Sequence, residues 1–279
     1  MLWLLAAILL DFGFIQLFKL GQRRGYAAPV VISVNYLTVG IVIGLYLLIL
    51  GSWSAPPAAL ATGIGSGVVF LASMLVLNHA LRLLPVGPVL TTYRLSLLVP
   101  LALGVWLWHE PLSPRQLGGL GLAAIALALM SAGPGATSAL PARKILGLLA
   151  AIFLLQGLST TAIRSVHYQG LDAYVLPYIV LAGLTAGVLG FAYIRLRGIV
   201  LTAPAVRLGL GLGLYNALAL PIVMTALEHW PGTIYFPVTG CGALILDNLC
   251  AHYFWREKLT PLAIAGAVLA ALALVLIIN

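Results

Sequence analysis

Ionisable side chains are rare in this sequence, and some of them stand in the middle of long apolar runs. Asp11 lies about ten residues into the first run, and Asp247 lies near the middle of a later one. A charge at the centre of a bilayer costs about 2.5–3.5 kcal/mol on insertion scales, so each carboxylate is expected to face a cavity or a partner. Asp11 therefore predicts either a cation or proton site, or an anchor that binds a neighbouring helix.

Arg94 is the basic residue at a comparable position. It lies about six residues into its apolar run, where its head group can reach the membrane surface by snorkelling. If the side chain faces inward instead, it pairs with Asp11 or Asp247, or it holds a substrate carboxylate through two parallel hydrogen bonds. The sequence leaves these alternatives open.

Other polar side chains at similar depth would suit hydrogen bonding to a polar or zwitterionic solute. His79 is a candidate proton carrier, although a histidine at a helix end is also typical of the membrane interface. The predicted substrate-binding or cavity-lining set comprises Asp11, Asn35, Tyr36, Asn78, His79, Arg94, Gln156, Tyr215, Asn216 and Asp247. Asp11 is the predicted coupling residue, and no metal site or catalytic residue is predicted.

Long apolar helices must position these residues. The 279 residues are 62% hydrophobic and 7% charged, whereas about a quarter of the residues of a soluble domain are charged. A spanning helix needs roughly 20 apolar residues, and the breaks at Gly, Pro and charged clusters predict ten spans at about 2–21, 29–50, 59–82, 88–108, 116–132, 145–164, 173–194, 205–226, 231–254 and 260–278. The predicted fold class is an all-α integral membrane protein with ten transmembrane helices.

The sequence also contains an internal repeat, in which the pattern W-x-E-x-L-[ST]-P-x₄-G occurs twice at an offset of 147 residues. Its members are Trp108, Glu110, Pro114 and Gly119 in the first copy, and Trp255, Glu257, Pro261 and Gly266 in the second. Because the two glutamates lie at the membrane boundary, they are interpreted as caps or stabilisers of the connection between the fourth and fifth spans. A unit of five helices reverses its orientation in the next copy, which predicts two inverted repeats at 1–135 and 145–279, joined by a linker at 136–144.

The duplicated five-helix unit, the short Glu-containing connection and the Gly-rich last helix of each half resemble the EamA-type family of the drug/metabolite transporter (DMT) superfamily. The resemblance covers essentially the whole chain. It implies ten helices around a central cavity and secondary transport of small polar or amphipathic metabolites, amino acids and related compounds among them, often as export.

The predicted function is therefore non-ATP transport by alternating access, and the chain is predicted not to be an enzyme. The sequence has no H-E-x-x-H, Walker or G-x-S-x-G motif. The predicted partners are a small-molecule solute and membrane lipids. No cofactor is predicted, and the predicted assembly is a monomer or a homodimer. Nucleic acid is not a predicted partner, because the basic residues are scattered at run ends. A flippase for a lipid-linked substrate and a non-transporting membrane scaffold stay open as alternatives.

The basic residues also predict an orientation in the cell inner membrane. Eleven of them lie at or near the connections after odd-numbered spans, and only Arg115 and Arg164 lie on the other side. Under the positive-inside rule this bias places both termini outside the cytoplasm.

Glycine and proline positions predict how the helices pack and bend. Glycines four residues apart let helix backbones approach closely, and such pairs occur at Gly40/Gly44, Gly63/Gly67, Gly183/Gly187 and Gly209/Gly213. A proline inside a helix removes a backbone hydrogen bond, so bends are expected at Pro100, Pro177, Pro221 and Pro237.

Overall fold

The protein is all-helical throughout the part of the chain that the computed structural model describes, which is residues 2–84, 86–131, 140–254 and 261–278. Those ranges contain no β-strand and form α1 Leu2–Arg23, α2 Ala28–Ile49, α3 Pro57–Leu83, α4 Val86–Leu95, α5 Leu98–Trp106, α6 Pro114–Ser131, α7 Ala142–Tyr168, α8 Val175–Leu196, α9 Ala203–His229, α10 Gly232–Tyr253 and α11 Pro261–Ile278. A 3-10 turn at Asp172–Tyr174 leads into α8.

Within the described residues, seven helical segments are long and apolar enough to cross a membrane: α1, α2, α3, α7, α8 with its preceding turn, α9 and most of α10. Three shorter apolar stretches lie at Thr92–Trp106, Pro114–Leu129 and Ile264–Ile277. The all-α, membrane-compatible class predicted from the sequence is confirmed by these helices. Ten spans arranged as an inverted repeat stay a prediction.

The fourth predicted span is the one that the structure divides. Instead of a single helix over 88–108, α4 ends at Leu95 and α5 begins at Leu98. Pro100 lacks the N–H that would donate to the carbonyl of Ser96, four residues earlier, and its ring crowds that carbonyl. Instead, the Ser96 carbonyl accepts a hydrogen bond from the amide of Val99, only three residues later, at 3.0 Å. The Ser96 hydroxyl donates to the carbonyl of Tyr93 at 2.6 Å.

The other prolines occupy different kinds of position. Pro221 and Pro237 lie inside α9 and α10, as expected. The expectation for Pro177 was wrong, because it is the third residue of α8. The first N–H groups of a helix have no partner within it, so a proline there removes no helical hydrogen bond.

The helices contribute to two compact units, which are described separately. Unit 1 comprises Met1–Phe12, Val76–Thr161 and His229–Asn279, and unit 2 comprises Gly13–Leu75 and Ala162–Glu228. Each unit takes segments from both halves of the sequence. The division into repeats on either side of 136–144 stays a prediction, and residues 132–139 lie outside the described part of the chain.

Unit 2 is built on the close approach of α2 and α8. A Cβ atom added to Gly183 would lie 2.8 Å from the carbonyl oxygen of Tyr36, and one added to Gly187 would lie 2.8 Å from the Cα of Leu37. No side chain fits at either position. The glycine pairs of α3 and α9 behave in the same way, since added Cβ atoms at Gly67 and Gly213 would lie 2.6 and 2.8 Å from backbone oxygens of the facing helix. These contacts confirm the predicted close packing.

In unit 1, α6 packs along α11. The motif prolines Pro114 and Pro261 are the first residues of these two helices, a position where the fixed φ of proline suits the helix. Gly119 faces α11, because an added Cβ would lie 3.2 Å from the carbonyl oxygen of Ala273. Gly266 is buried and Trp108 is half-buried, whereas Trp255 and Glu257 lie outside the described residues.

Candidate functional site

Two aspartates and one arginine meet inside unit 1. The Nη2 of Arg94 donates to Oδ2 of Asp247 at 3.0 Å, and its Nη1 lies 3.6 Å from Oδ2 of Asp11. The side chains of Arg94 and Asp247 are 13% and 14% exposed, while that of Asp11 is 43% exposed. We call these three residues the charged triad. Of the alternatives that the sequence left open for Arg94, the structure shows inward pairing, and with both aspartates.

The helix break in the fourth predicted span places the arginine of the triad. Arg94 lies in the last turn of α4, one residue before the helix ends at Leu95. A cation in the last turn interacts favourably with the unpaired carbonyls of that helix end. The break that Pro100 causes therefore puts Arg94 at a helix end within an otherwise apolar stretch.

The other two members come from α1 and α10, which pack closely just before Asp247. A Cβ added to Gly242 would lie 2.7 Å from Cδ1 of Ile8, so the Ile8 side chain packs directly against the backbone of α10 at this glycine. Tyr235 and Cys241 of α10 are buried, and the ring of Tyr93 lies 5.9 Å from Cζ of Arg94. An aromatic ring thus lies beside the guanidinium of the triad.

Glu110, a member of the repeat motif, is a buried cap on α10. Its two carboxylate oxygens accept hydrogen bonds from the amides of Gly232 at 3.1 Å and Thr233 at 2.9 Å. These amides belong to the first turn of α10, whose N–H groups have no helical acceptor. The sequence predicted a cap or stabiliser of the neighbouring connection. The structure places the cap on a helix more than 120 residues away.

In unit 2, the predicted site residues take part in packing contacts. The side-chain amide of Asn216 donates to Oδ1 of Asn35 at 2.9 Å, which links α9 to a buried residue of α2. Tyr36 stacks on Phe70 with their ring centroids 6.4 Å apart, and both line an apolar cavity of about 30 Å³. The hydroxyl of Tyr215 lies directly against Gly13 of α1.

The remaining predicted site residues lie in unit 1. Gln156 on α7 and Asn78 on α3 are half-buried, and His79 is exposed. The structure therefore brings together Asp11, Arg94 and Asp247 as one set. It also shows that, within the residues it describes, no group of three or more His, Cys, Asp or Glu side chains is placed to hold a metal ion.

One buried charged residue was not among the predicted site residues. Arg164 of α7 is 7% exposed. Its guanidinium donates to the carbonyl of Leu227 near the end of α9 and to the Tyr168 hydroxyl at 3.2 Å, and it lies 4.7 Å from the Tyr168 ring centroid. The sequence placed Arg164 at a membrane boundary. The local sequence does not predict that Arg164 is buried, because the carbonyl group to which it donates is 63 residues away in the chain.

Comparison with known proteins identifies the fold. No family model and no curated protein matches the sequence. Among solved structures, one described as "Crystal structure of protein" is similar to this chain with a TM-score of 0.76. The matched region covers 99% of this chain and 94% of the chain in that structure. The two sequences are 17% identical. At that identity the likeness shows a shared all-helical fold over essentially the whole length.

Proposed function

We propose that the protein is a secondary transporter of small polar or amphipathic metabolites, and that the charged triad lies on its substrate pathway. The observation that carries the proposal is the meeting of Asp11, Arg94 and Asp247 on helical segments that are apolar and, for α1 and α10, long enough to span a membrane. Ionisable groups inside spanning segments are costly and mark substrate or ion pathways.

The exposure of Asp11 favours a role in a substrate pathway, in preference to a purely structural ion pair. Its carboxylate belongs to the middle of a 22-residue apolar helix, and yet 43% of the side chain is exposed. Exposure to lipid chains would cost several kcal/mol, since nothing there can hydrogen-bond a carboxylate. An aqueous opening that reaches Asp11 explains the same exposure without that cost.

Equal lengths in three of the five corresponding helix pairs support the predicted inverted repeat. The second helix of each predicted half, α2 or α8, has 22 residues, and the third, α3 or α9, has 27. The last helices, α6 and α11, each have 18. Such repeats allow one bundle to rock against the other about a site near the midplane. This agrees with the EamA-type resemblance, which suggests amino acids and related metabolites as substrates and export as the direction.

The proposal is tested by a thermal-stability screen of the purified protein in detergent, followed by exchange of each stabilising solute across proteoliposomes. Amino acids, amines, nucleosides and sugar phosphates form the panel. A ligand of the folded state raises the melting temperature, by an amount equivalent to about 2.7 kcal/mol at a hundred times its Kd. We expect at least one stabilising solute to exchange. Exchange no faster than in protein-free liposomes for every panel member would contradict the proposal.

A further inference from the structure

Within the charged triad, the guanidinium of Arg94 is paired with both aspartates. Nη2 of Arg94 donates to Asp247 at 3.0 Å, and Nη1 faces Asp11 at 3.6 Å. A carboxylate on a solute would have to compete with both aspartates for this guanidinium, whose side chain is only 13% exposed. Arg94 is therefore placed as the internal counter-ion of the two aspartates, and not as a receptor for an anionic solute.

The charges of the triad do not cancel. Two carboxylates and one guanidinium leave one formal negative charge, and the geometry assigns it mainly to Asp11. This aspartate is farther from Arg94 than Asp247 is, and it is about three times as exposed. A positively charged ligand offsets that charge, whereas a negatively charged ligand adds to it.

We propose that Asp11 and Asp247, with Arg94 as their counter-ion, make this site selective for solutes that carry a protonated amino group. This inference rests on the proposed transport function and narrows its substrate class. The ammonium group donates to the exposed carboxylate of Asp11, and such charge-assisted hydrogen bonds are roughly twice as strong as neutral ones. Asp247 keeps the guanidinium occupied, so the arginine does not repel the approaching amine with its full charge.

Three probes with the same ring and different charge test the selectivity: benzylamine, benzoate and benzyl alcohol. Their binding to the purified protein in detergent is measured by calorimetry. We expect benzylamine to bind at least about tenfold more tightly than the other two, the ratio given by about 1.4 kcal/mol. Asp11→Asn should remove this preference, and Asp11→Glu should retain most of it. Asp172→Asn, which changes the aspartate outside the triad, is the matched control and should leave all three affinities unchanged.

A second variant tests the sign of the charge. Asp11→Asn combined with Asp247→Asn leaves Arg94 with one positive charge, and we expect this protein to prefer benzoate to benzylamine. A structural role for the aspartates would lower stability without reversing the preference. Benzoate binding as tightly as benzylamine to the unmodified protein would overturn the inference, as would an amine preference that survives Asp11→Asn.

Exchange across proteoliposomes separates this inference from the proposed function. Exchange of anionic or neutral solutes without any binding of amines would leave transport standing and overturn the charge selectivity. Amine binding that is lost in Asp11→Asn, with no exchange of any solute, would support the amine site and contradict transport.

Discussion

At the scale of single residues, the charged triad depends on Arg94, which two aspartates share. Its two carboxylate partners come from helices at opposite ends of the sequence, and all three side chains lie within helical segments that are largely apolar. Removing one partner of a buried ion pair leaves the other charge without compensation, and this costs more than the pair itself contributes. The triad is thus most sensitive to the loss of Arg94, which is the counter-ion of both aspartates.

Arg94→Met is expected to be strongly destabilising. The side chain is replaced by one of similar length, but Asp247 and Asp11 lose their counter-ion, and the expected cost is about 3 kcal/mol. The midpoint of thermal unfolding in detergent measures it. Arg197→Met is the control, because Arg197 is exposed at the end of α8 and should change stability by less than about 0.5 kcal/mol. Equal midpoints for the two variants would show that the triad contributes no stability.

The sequence predicted the members of the triad but not its geometry. Asp11, Arg94 and Asp247 could be recognised as candidate site residues because charged side chains are rare in the middle of apolar spans. Which of the alternatives for Arg94 holds depends on the rotation of three helices about their axes, and no local pattern specifies it. Asn35 and Asn216 illustrate the same limit, since a buried amide suits a solute and a neighbouring helix equally well. The structure shows them bonded to each other.

At the scale of elements, glycines set how closely the helices approach. On α9, Gly213 and Gly211 lie two residues apart and thus on different faces. A Cβ added at 213 would lie 2.8 Å from the carbonyl oxygen of Asn35, whereas one added at 211 would meet nothing within 4 Å. The two positions form a matched pair on the same helix.

Gly213→Ala is expected to destabilise the protein by about 1–3 kcal/mol, because the added methyl group forces α9 away from α2. Gly211→Ala should be neutral or stabilising by up to about 1 kcal/mol, since alanine is the better helix former and has room. Thermal midpoints of both variants are compared with that of the unmodified chain. Equal losses at the two positions would contradict the packing described for α2 and α9.

Glu110→Ala is expected to loosen the start of α10. The substitution leaves the amides of Gly232 and Thr233 without their acceptor, at a cost of about 1–3 kcal/mol for each buried unpaired group. Hydrogen exchange should accelerate in the first turn of α10 while the middle of the helix stays protected. Glu110→Gln, which keeps one carbonyl oxygen, should lose less. Glu228→Ala changes an exposed glutamate and is the control. Unchanged protection at Gly232 and Thr233 in Glu110→Ala would contradict the cap.

Element boundaries were predictable where composition changes sharply. Most described helices begin and end within a few residues of the predicted spans. The division of the fourth span into two helices was not predictable, because the sequence around Ser96 and Leu97 is apolar on both sides of the break. Pro100 carried the signal, but a proline also fits within a bent continuous helix, as Pro221 and Pro237 do.

At the scale of the whole molecule, the bias of basic residues predicts the orientation of the chain. A reporter that is active only in the cytoplasm is fused to the C-terminus, and we expect little activity, because the positive-inside rule places this terminus outside. The same reporter inserted at the connection between α1 and α2, beside Arg23 and Arg24, is the control and should be active. Strong activity of the C-terminal fusion would contradict the predicted orientation.

The measurement that tests transport most directly is solute exchange in proteoliposomes that contain the unmodified chain, Asp11→Asn or Asp172→Asn. We use the solute that gives the largest stabilisation in the thermal screen. We expect the unmodified chain and Asp172→Asn to exchange the solute at similar rates. We expect a rate at least about tenfold lower for Asp11→Asn, because a charged hydrogen bond worth about 1.5–3 kcal/mol is lost. Equal exchange by all three proteins, or by none of them, would contradict a substrate pathway through the charged triad.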